Sequence, residues 1–121
     1  MIRRNTKVVN IGEVPLGGEY PIRVQSMTNI LTSDIEGQIK QIQKCVEAGA
    51  EYMRITVPTL KDVAHFAEIK KGIRDLGLKT PLIADVHFSP RIAIEVAKVA
   101  DKVRINPGNF MKAQGSGVKA Q

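Results

Sequence analysis

The chain has 121 residues, 43% hydrophobic and 25% charged, which suits one domain with an ordinary core. Its net charge of +6 asks for an anionic partner, yet the five aromatic side chains are not interleaved with basic ones, which argues against a nucleic-acid platform. No apolar run is long enough for a bilayer, the basic start Met1-Ile-Arg-Arg-Asn-Thr-Lys7 lacks the apolar segment of a secretory signal, and a lone Cys45 excludes an internal disulfide and fits a reducing compartment.

In chain order, residues 6–20 read as a hairpin, with Gly12-Glu13 between two short β-prone runs and Gly17-Gly18 after them. It could plug the bottom of a barrel. A first strand is expected over Pro21–Met27. A helix follows from the capping-box pattern Ser33-Asp-Ile-Glu36, with Ile35, Ile39, Ile42 and Val46 on one face and Gly49 as its stop. Tyr52–Val57 is the second strand. Thr59 should cap a second helix whose stripe is Val63, Phe66, Ile69, Ile73 and Leu76, ended by Gly77. Leu82–Phe88 is the third strand, and Ser89-Pro90 opens a third helix running through Ile92, Val96 and Val99 to about Ala100. Lys102–Pro107 is the fourth strand. From Phe110 the pattern gives way to an irregular tail.

Strand–helix alternation with short connections predicts an α/β fold with a parallel sheet. Because side chains alternate along a strand, Ile22/Val24, Met53/Ile55/Val57, Leu82/Ala84/Val86/Phe88 and Val103/Ile105 fall on one face. Arg23/Gln25, Arg54/Thr56, Asp85/His87 and Arg104/Asn106 fall on the other. A parallel sheet sandwiched by helices would be apolar on both faces, so the polar face must meet something else. Polar groups at the C-terminal ends of parallel strands are where (β/α)8 barrels keep their active sites. Such a barrel takes roughly 250 residues, and four strands make half of one, with open sheet edges. The chain is therefore expected to be the front part of a larger protein, residues 1–109 supplying a partial barrel and 110–121 a tail.

Arg54 and Arg104 sit among apolar neighbours, where arginine needs a partner. Two readings are open: an internal ion pair with Asp85, or a fork of donors for phosphate. Asp85 and His87 could bind metal, orient a hydroxyl, move a proton, or share a structural hydrogen bond. The Gln25-Ser-Met-Thr28 segment could bind ligand oxygens or cap a turn. Asn106 precedes a Pro-Gly turn on the inner phase. Cys45 has no Cys or His at ligand spacing and reads as a small half-buried hydrophobe. No metal site is expected in the chain.

Five ordered motifs then stand together: Val24-Gln-Ser-Met-Thr-Asn29, Glu47-Ala-Gly-Ala50, Tyr52-Met-Arg-Ile-Thr-Val-Pro58, Pro81-Leu-Ile-Ala-Asp-Val-His-Phe88 and Val103-Arg-Ile-Asn-Pro-Gly-Asn109. In these the chain resembles the 4-hydroxy-3-methylbut-2-enyl diphosphate synthase family, from about Arg4 to Asn109. The resemblance implies an N-terminal TIM barrel for the substrate, 2-C-methyl-D-erythritol 2,4-cyclodiphosphate, and an iron–sulfur oxidoreductase of the non-mevalonate isoprenoid pathway. It implies that Arg54 and Arg104 bind the diphosphate, with Gln25, Ser26, Met27, Thr28 and Asn106 around the substrate and Asp85 and His87 lining the same cavity. It further implies a 4Fe-4S cluster on three cysteines and a glutamate of a separate C-terminal domain, a homodimer, ferredoxin or flavodoxin as electron donor, and a cytoplasmic or, for a plant-type parent, plastid location. The cluster cysteines are missing here, so this chain alone is expected to bind no cluster and to be inactive. Two other readings compete: a pterin-binding barrel of the dihydropteroate synthase type, and a half-barrel that binds anions without turnover.

Overall fold

A computed structural model describes residues 5–106, so the tail and the Pro-Gly turn lie outside the described residues. The chain opens with the antiparallel hairpin β1 (Val9–Ile11) and β2 (Val14–Leu16). Then β3 (Gln25–Met27), α1 (Ile35–Glu47), β4 (Tyr52–Thr56), α2 (Lys61–Asp75), β5 (Leu82–Val86), α3 (Pro90–Val96) and β6 (Lys102–Ile105) alternate. The last four strands form one parallel sheet in the order β3-β4-β5-β6, the order of the chain.

The helices and the sheet share one core. Ile42 of α1, Phe66, Ile69 and Ile73 of α2, and Ile92 and Val96 of α3 close over Met53, Ile55, Leu82, Ala84 and Val86. These are the phases the alternation predicted. Each fully buried aliphatic or aromatic side chain contributes about 1.5–3 kcal/mol of transfer free energy, so this layer holds the sheet flat against its helices. The α1 and α2 helices end alike. Ala50 N–H bonds the Cys45 carbonyl and Gly49 N–H that of Val46; Leu78 N–H bonds Ile73 and Gly77 N–H bonds Arg74. Both are Schellman closures, and both need a residue in the left-handed region, supplied by Gly49 (φ 112) and Gly77 (φ 83).

The hairpin lies on the opposite face of the sheet, at the N-terminal ends of its strands. Ile11, Tyr52 and Ile83 form a second buried cluster, flanked by Val14 and Leu16. Arg23 fastens it: its Nε donates to the Pro15 carbonyl at 2.9 Å and its Nη1 to Glu51 at 2.9 Å. Glu51 also accepts from Val24 N–H, and that bond, with the Arg23 guanidinium, holds its carboxyl below the usual range. Burial pushes the Tyr52 phenol up.

Several expectations need correction. The first strand is only Gln25–Met27; Ile22 is 87% and Val24 56% exposed, so neither reaches the helix layer. Pro21 has no N–H to give a ladder, and Arg23 turns down to the hairpin instead of lining the inner face. The α1 cap is Asp34, one residue after Ser33: the carboxylate accepts from Gly37 N–H at 3.1 Å. At α2, Thr59 gives its hydroxyl to Asp62 Oδ2 (2.8 Å), whose other oxygen meets His65 Nδ1 (2.9 Å), and the cap position passes to Leu60. Leu76 is 53% exposed beyond the last buried turn. The Ser89 cap and Pro90 are as expected, but α3 stops at Val96 and continues as turns. Phe88 lies past the end of β5 and is 66% exposed.

Candidate anion-binding site

Register places the charged residues side by side. Asp85 on β5 is opposite Arg104 on β6 and Thr56 on β4, while Arg54 is opposite Met27 on β3. Asp85 thus stands between the two arginines on the face turned away from the helices. Its carboxylate is 2% exposed. It accepts from Arg104 Nη1 at 3.0 Å, and meets Arg54 Nε at 3.6 Å and His87 Nε2 at 3.4 Å. A buried carboxylate is costly without compensation, and the guanidinium groups supply it.

The compensation is more than complete. Two permanent cations face one carboxylate, and the exposed Lys102 lies on the same face through its pairing with Ile83. Arg54 is incompletely engaged: its Nε is buried without a hydrogen bond among the described residues, and its Nη2 reaches only the weak acceptor Met27 Sδ at 3.2 Å. Both proposed readings of the arginines therefore describe the same geometry. Asp85 pairs with the guanidinium groups and so orients them, while their surplus charge remains turned toward the open face.

The remaining expected residues divide. Met27 touches Arg54, and Thr28 N–H donates to the Arg54 carbonyl at 3.1 Å. Thr28 is 4% exposed, and its hydroxyl oxygen is buried without a hydrogen bond among the described residues. Gln25 lies exposed on the inner phase, and Asn106 follows β6 two residues after Arg104. Gln25–Met27 is the strand itself, so alternation turns Ser26 toward the helices, level with Met53, where its hydroxyl lies 3.8 Å from Cys45 Sγ. Ser26 does not join the cluster. A cavity of about 690 Å³ at the C-terminal end of β4 is lined in part by Met27, Thr28, Asp34 and Thr56; neither arginine lines it, and Met27, whose Sδ meets Arg54 Nη2, joins it to the charged cluster.

Sequence reasoning missed the residues that hold the β3–α1 loop beside this cavity, namely Thr32, Gln38 and Gln41. A signal was present: Gln38 interrupts the apolar stripe between Ile35 and Ile42, and it is fully buried. Among the described residues no group of three or more His, Cys, Asp or Glu is placed to hold a metal ion.

The model of the GcpE TIM-barrel domain matches residues 6–119. The chain belongs to the GcpE TIM-barrel family. It is 50% identical over 111 residues to the 4-hydroxy-3-methylbut-2-en-1-yl diphosphate synthase (flavodoxin) of Bacteroides thetaiotaomicron, covering 92% of this chain and 18% of that protein. The proteins of the same name from Porphyromonas gingivalis and Leptospira interrogans are each 44% identical, over 95% and 89% of this chain and 20% and 16% of theirs. The GcpE segment described here therefore spans a fifth or less of the length of these curated relatives. No helix among its described residues is long and apolar enough to cross a membrane.

Proposed function

We propose that this chain forms the first half of the substrate-binding TIM barrel of a 4-hydroxy-3-methylbut-2-enyl diphosphate synthase, an oxidoreductase of isoprenoid biosynthesis. Residues 1–109 are its barrel portion in this reading, with 110–121, outside the described residues, as an irregular tail. Arg54 and Arg104 receive the diphosphate of the cyclic substrate. The observation that carries this reading is the pair of guanidinium groups gathered on one buried carboxylate toward the C-terminal ends of adjacent parallel strands. Asp85 takes Nη1 of Arg104 and faces Nε of Arg54, which leaves the remaining guanidinium nitrogens as donors for phosphate oxygens. Gln25, Met27, Thr28 and Asn106 surround the ligand, and Asp85 and His87, 3.4 Å apart, line the same site.

The family's reductive step uses a 4Fe-4S cluster, and the residues of this chain do not fit one. Its one thiol, Cys45, packs against the apolar core on the helix side of the sheet, opposite the face that carries Arg54 and Asp85. Cluster ligands would have to come from elsewhere in a longer parent. That parent is a cytoplasmic homodimer in this reading, and the names of the relatives favour flavodoxin over ferredoxin as its electron donor.

The test is steady-state kinetics and equilibrium binding of the cyclodiphosphate to the full-length protein carrying this segment. Arg54→Ala and Arg104→Ala should each weaken binding by about 2–5 kcal/mol, the scale for truncating one partner of a buried charge pair. Lysine at either place should restore only part, because it lacks the fork. Wild-type affinity and turnover in both alanine variants would overturn the assignment.

A further inference from the structure

The loop between β3 and α1 makes one wall of the cavity at the C-terminal end of β4, next to Met27, and it has no regular secondary structure over residues 28–31. Unpaired backbone groups in such a segment need other partners. They find them on α1. Gln38 Nε2 donates to the carbonyls of Ile30 (3.0 Å) and Leu31 (3.3 Å). One turn on, Gln41 Oε1 accepts from Asn29 N–H (3.0 Å) while its Nε2 donates to Asn29 Oδ1 (2.7 Å). Thr32 ties the far end of the loop to β4 by donating its hydroxyl to the Thr56 carbonyl. Ile30 also rests on α1 at Gly37, where an added Cβ would stand 2.9 Å from its Cδ1.

We infer that Gln38 and Gln41 are positioning residues for the anion site, fixing the backbone of residues 29–31 and, through it, the Thr28 N–H bond to the Arg54 carbonyl that holds the end of β3 beside that residue. The inference rests on the diphosphate reading above. Gln38 is fully buried, and its Oε1 has no hydrogen bond among the described residues. A leucine in that stripe would avoid the desolvation cost but would take the Gln38 donor from the Ile30 carbonyl, whereas the Leu31 carbonyl would keep its bond from Asp34 N–H. The amide orientation is forced, since the reverse would set oxygen against both carbonyls. The gain from this amide is therefore the location of the loop. Gln41 meets Asn29 through one backbone and one side-chain bond, which fixes both the position and the rotamer of that residue. The loop is held at three points, two on the helix and one on the strand that carries Arg54, and Thr28 lies at its start with N–H on the Arg54 carbonyl. Displacement of this wall would strain the Thr28 N–H bond to the Arg54 carbonyl and shift Met27 against the guanidinium, while both arginines stay in place.

The experiment is calorimetric binding of the cyclodiphosphate to the full-length protein, with kcat, KM and thermal midpoint measured on the same preparations. Gln38→Met keeps the volume and removes the donors; Gln41→Leu removes both bonds to Asn29. Each should raise Kd and KM by roughly tenfold or more, the scale of a positioning defect, with kcat changed less than KM. Gln41→Glu supplies the rescue. Its carboxylate still accepts from Asn29 N–H, and a flipped Asn29 amide donates to the second oxygen, so affinity should return to near wild type. Because Gln38→Met sits in the core and can lower yield, the Gln41 pair on the helix edge decides the matter. Leucine weak and glutamate restored supports the inference; leucine and glutamate both at wild-type affinity, or both equally weakened, overturns it while leaving the diphosphate reading intact. Failure of the wild-type protein to bind the cyclodiphosphate removes both.

Discussion

The two ends of the sheet's inner face are built from the same strands on the same phase, yet they are different materials. At the N-terminal end Tyr52 and Ile83 are 3% and 1% exposed under Ile11 of the hairpin, and the Tyr52 hydroxyl donates to the Val14 carbonyl. Two residues further along the same strands stand Arg54 and Asp85, followed by Arg104 on the neighbour. The apolar end is closed by its own chain, whereas the charged end carries more positive charge than its carboxylate can neutralise. One end is packed for stability. The other is left to be completed by a ligand, and a step of one residue pair along the strand separates them.

Substitutions can break that division. The largest effect should come from Asp85→Ala, which leaves Arg54 and Arg104 facing each other without their shared carboxylate. Loss of one partner of a buried pair costs about 3–5 kcal/mol, so both the denaturation midpoint and ligand affinity should fall, the only variant in this set to move both. Next, Ile83→Ala should cost about 2–5 kcal/mol by the usual scale for a buried aliphatic truncation, measured by denaturant unfolding, while pyrophosphate affinity stays at wild type. A parallel loss of affinity would show that the plug and the site are one unit.

A smaller effect separates the two ends by pH. Glu51 has its carboxyl lowered by the Val24 N–H bond and by Arg23, so its contribution to stability is complete above its unfolded value and is lost as pH falls through the lower folded value. Acid titration of the thermal midpoint should show this loss below about pH 4.5 in the wild type and a flatter profile in Glu51→Gln, with the anion site unaffected at neutral pH. The smallest effect should be that of Lys98→Ala, which removes an exposed pair with Glu95 and should shift stability by less than about 1 kcal/mol.

Much of this arrangement was legible in the sequence because strand alternation is a hard constraint. A period of two put Arg54, Asp85 and Arg104 on one face, and the register of β4, β5 and β6 brings them together. The same rule failed at Arg23 because it applies only inside a strand; Pro21 and the pull of Glu51 end the pairing before that residue. Ser26 fell inside the expected strand Pro21–Met27 but was grouped with Gln25 and Thr28 as one ligand-binding or turn-capping segment, and the alternation of β3 sends it to the other face. Helix interiors were legible from their apolar stripes, and so was the Ser89-Pro90 start of α3, but the starts of α1 and α2 were not. Asp34 and Ser33 both suit a cap, and the choice depends on the loop before them, where Asp34 N–H already bonds Leu31. The glutamines that hold that loop left one trace, the break that Gln38 makes in the apolar stripe, but the stripe does not name their partners, which are backbone groups of residues 29–31 and the Asn29 side chain.

The twin closures of α1 and α2 have a kinetic consequence. Each returns the chain toward the sheet with bonds confined to six consecutive residues, so the reversal is decided locally. Strand order equals chain order, and no paired residues in the parallel sheet lie more than about thirty positions apart. Each new strand therefore docks on the one made just before it, at the entropy cost of a loop of one repeat. Assembly of this sheet can proceed in the direction of synthesis, one repeat at a time.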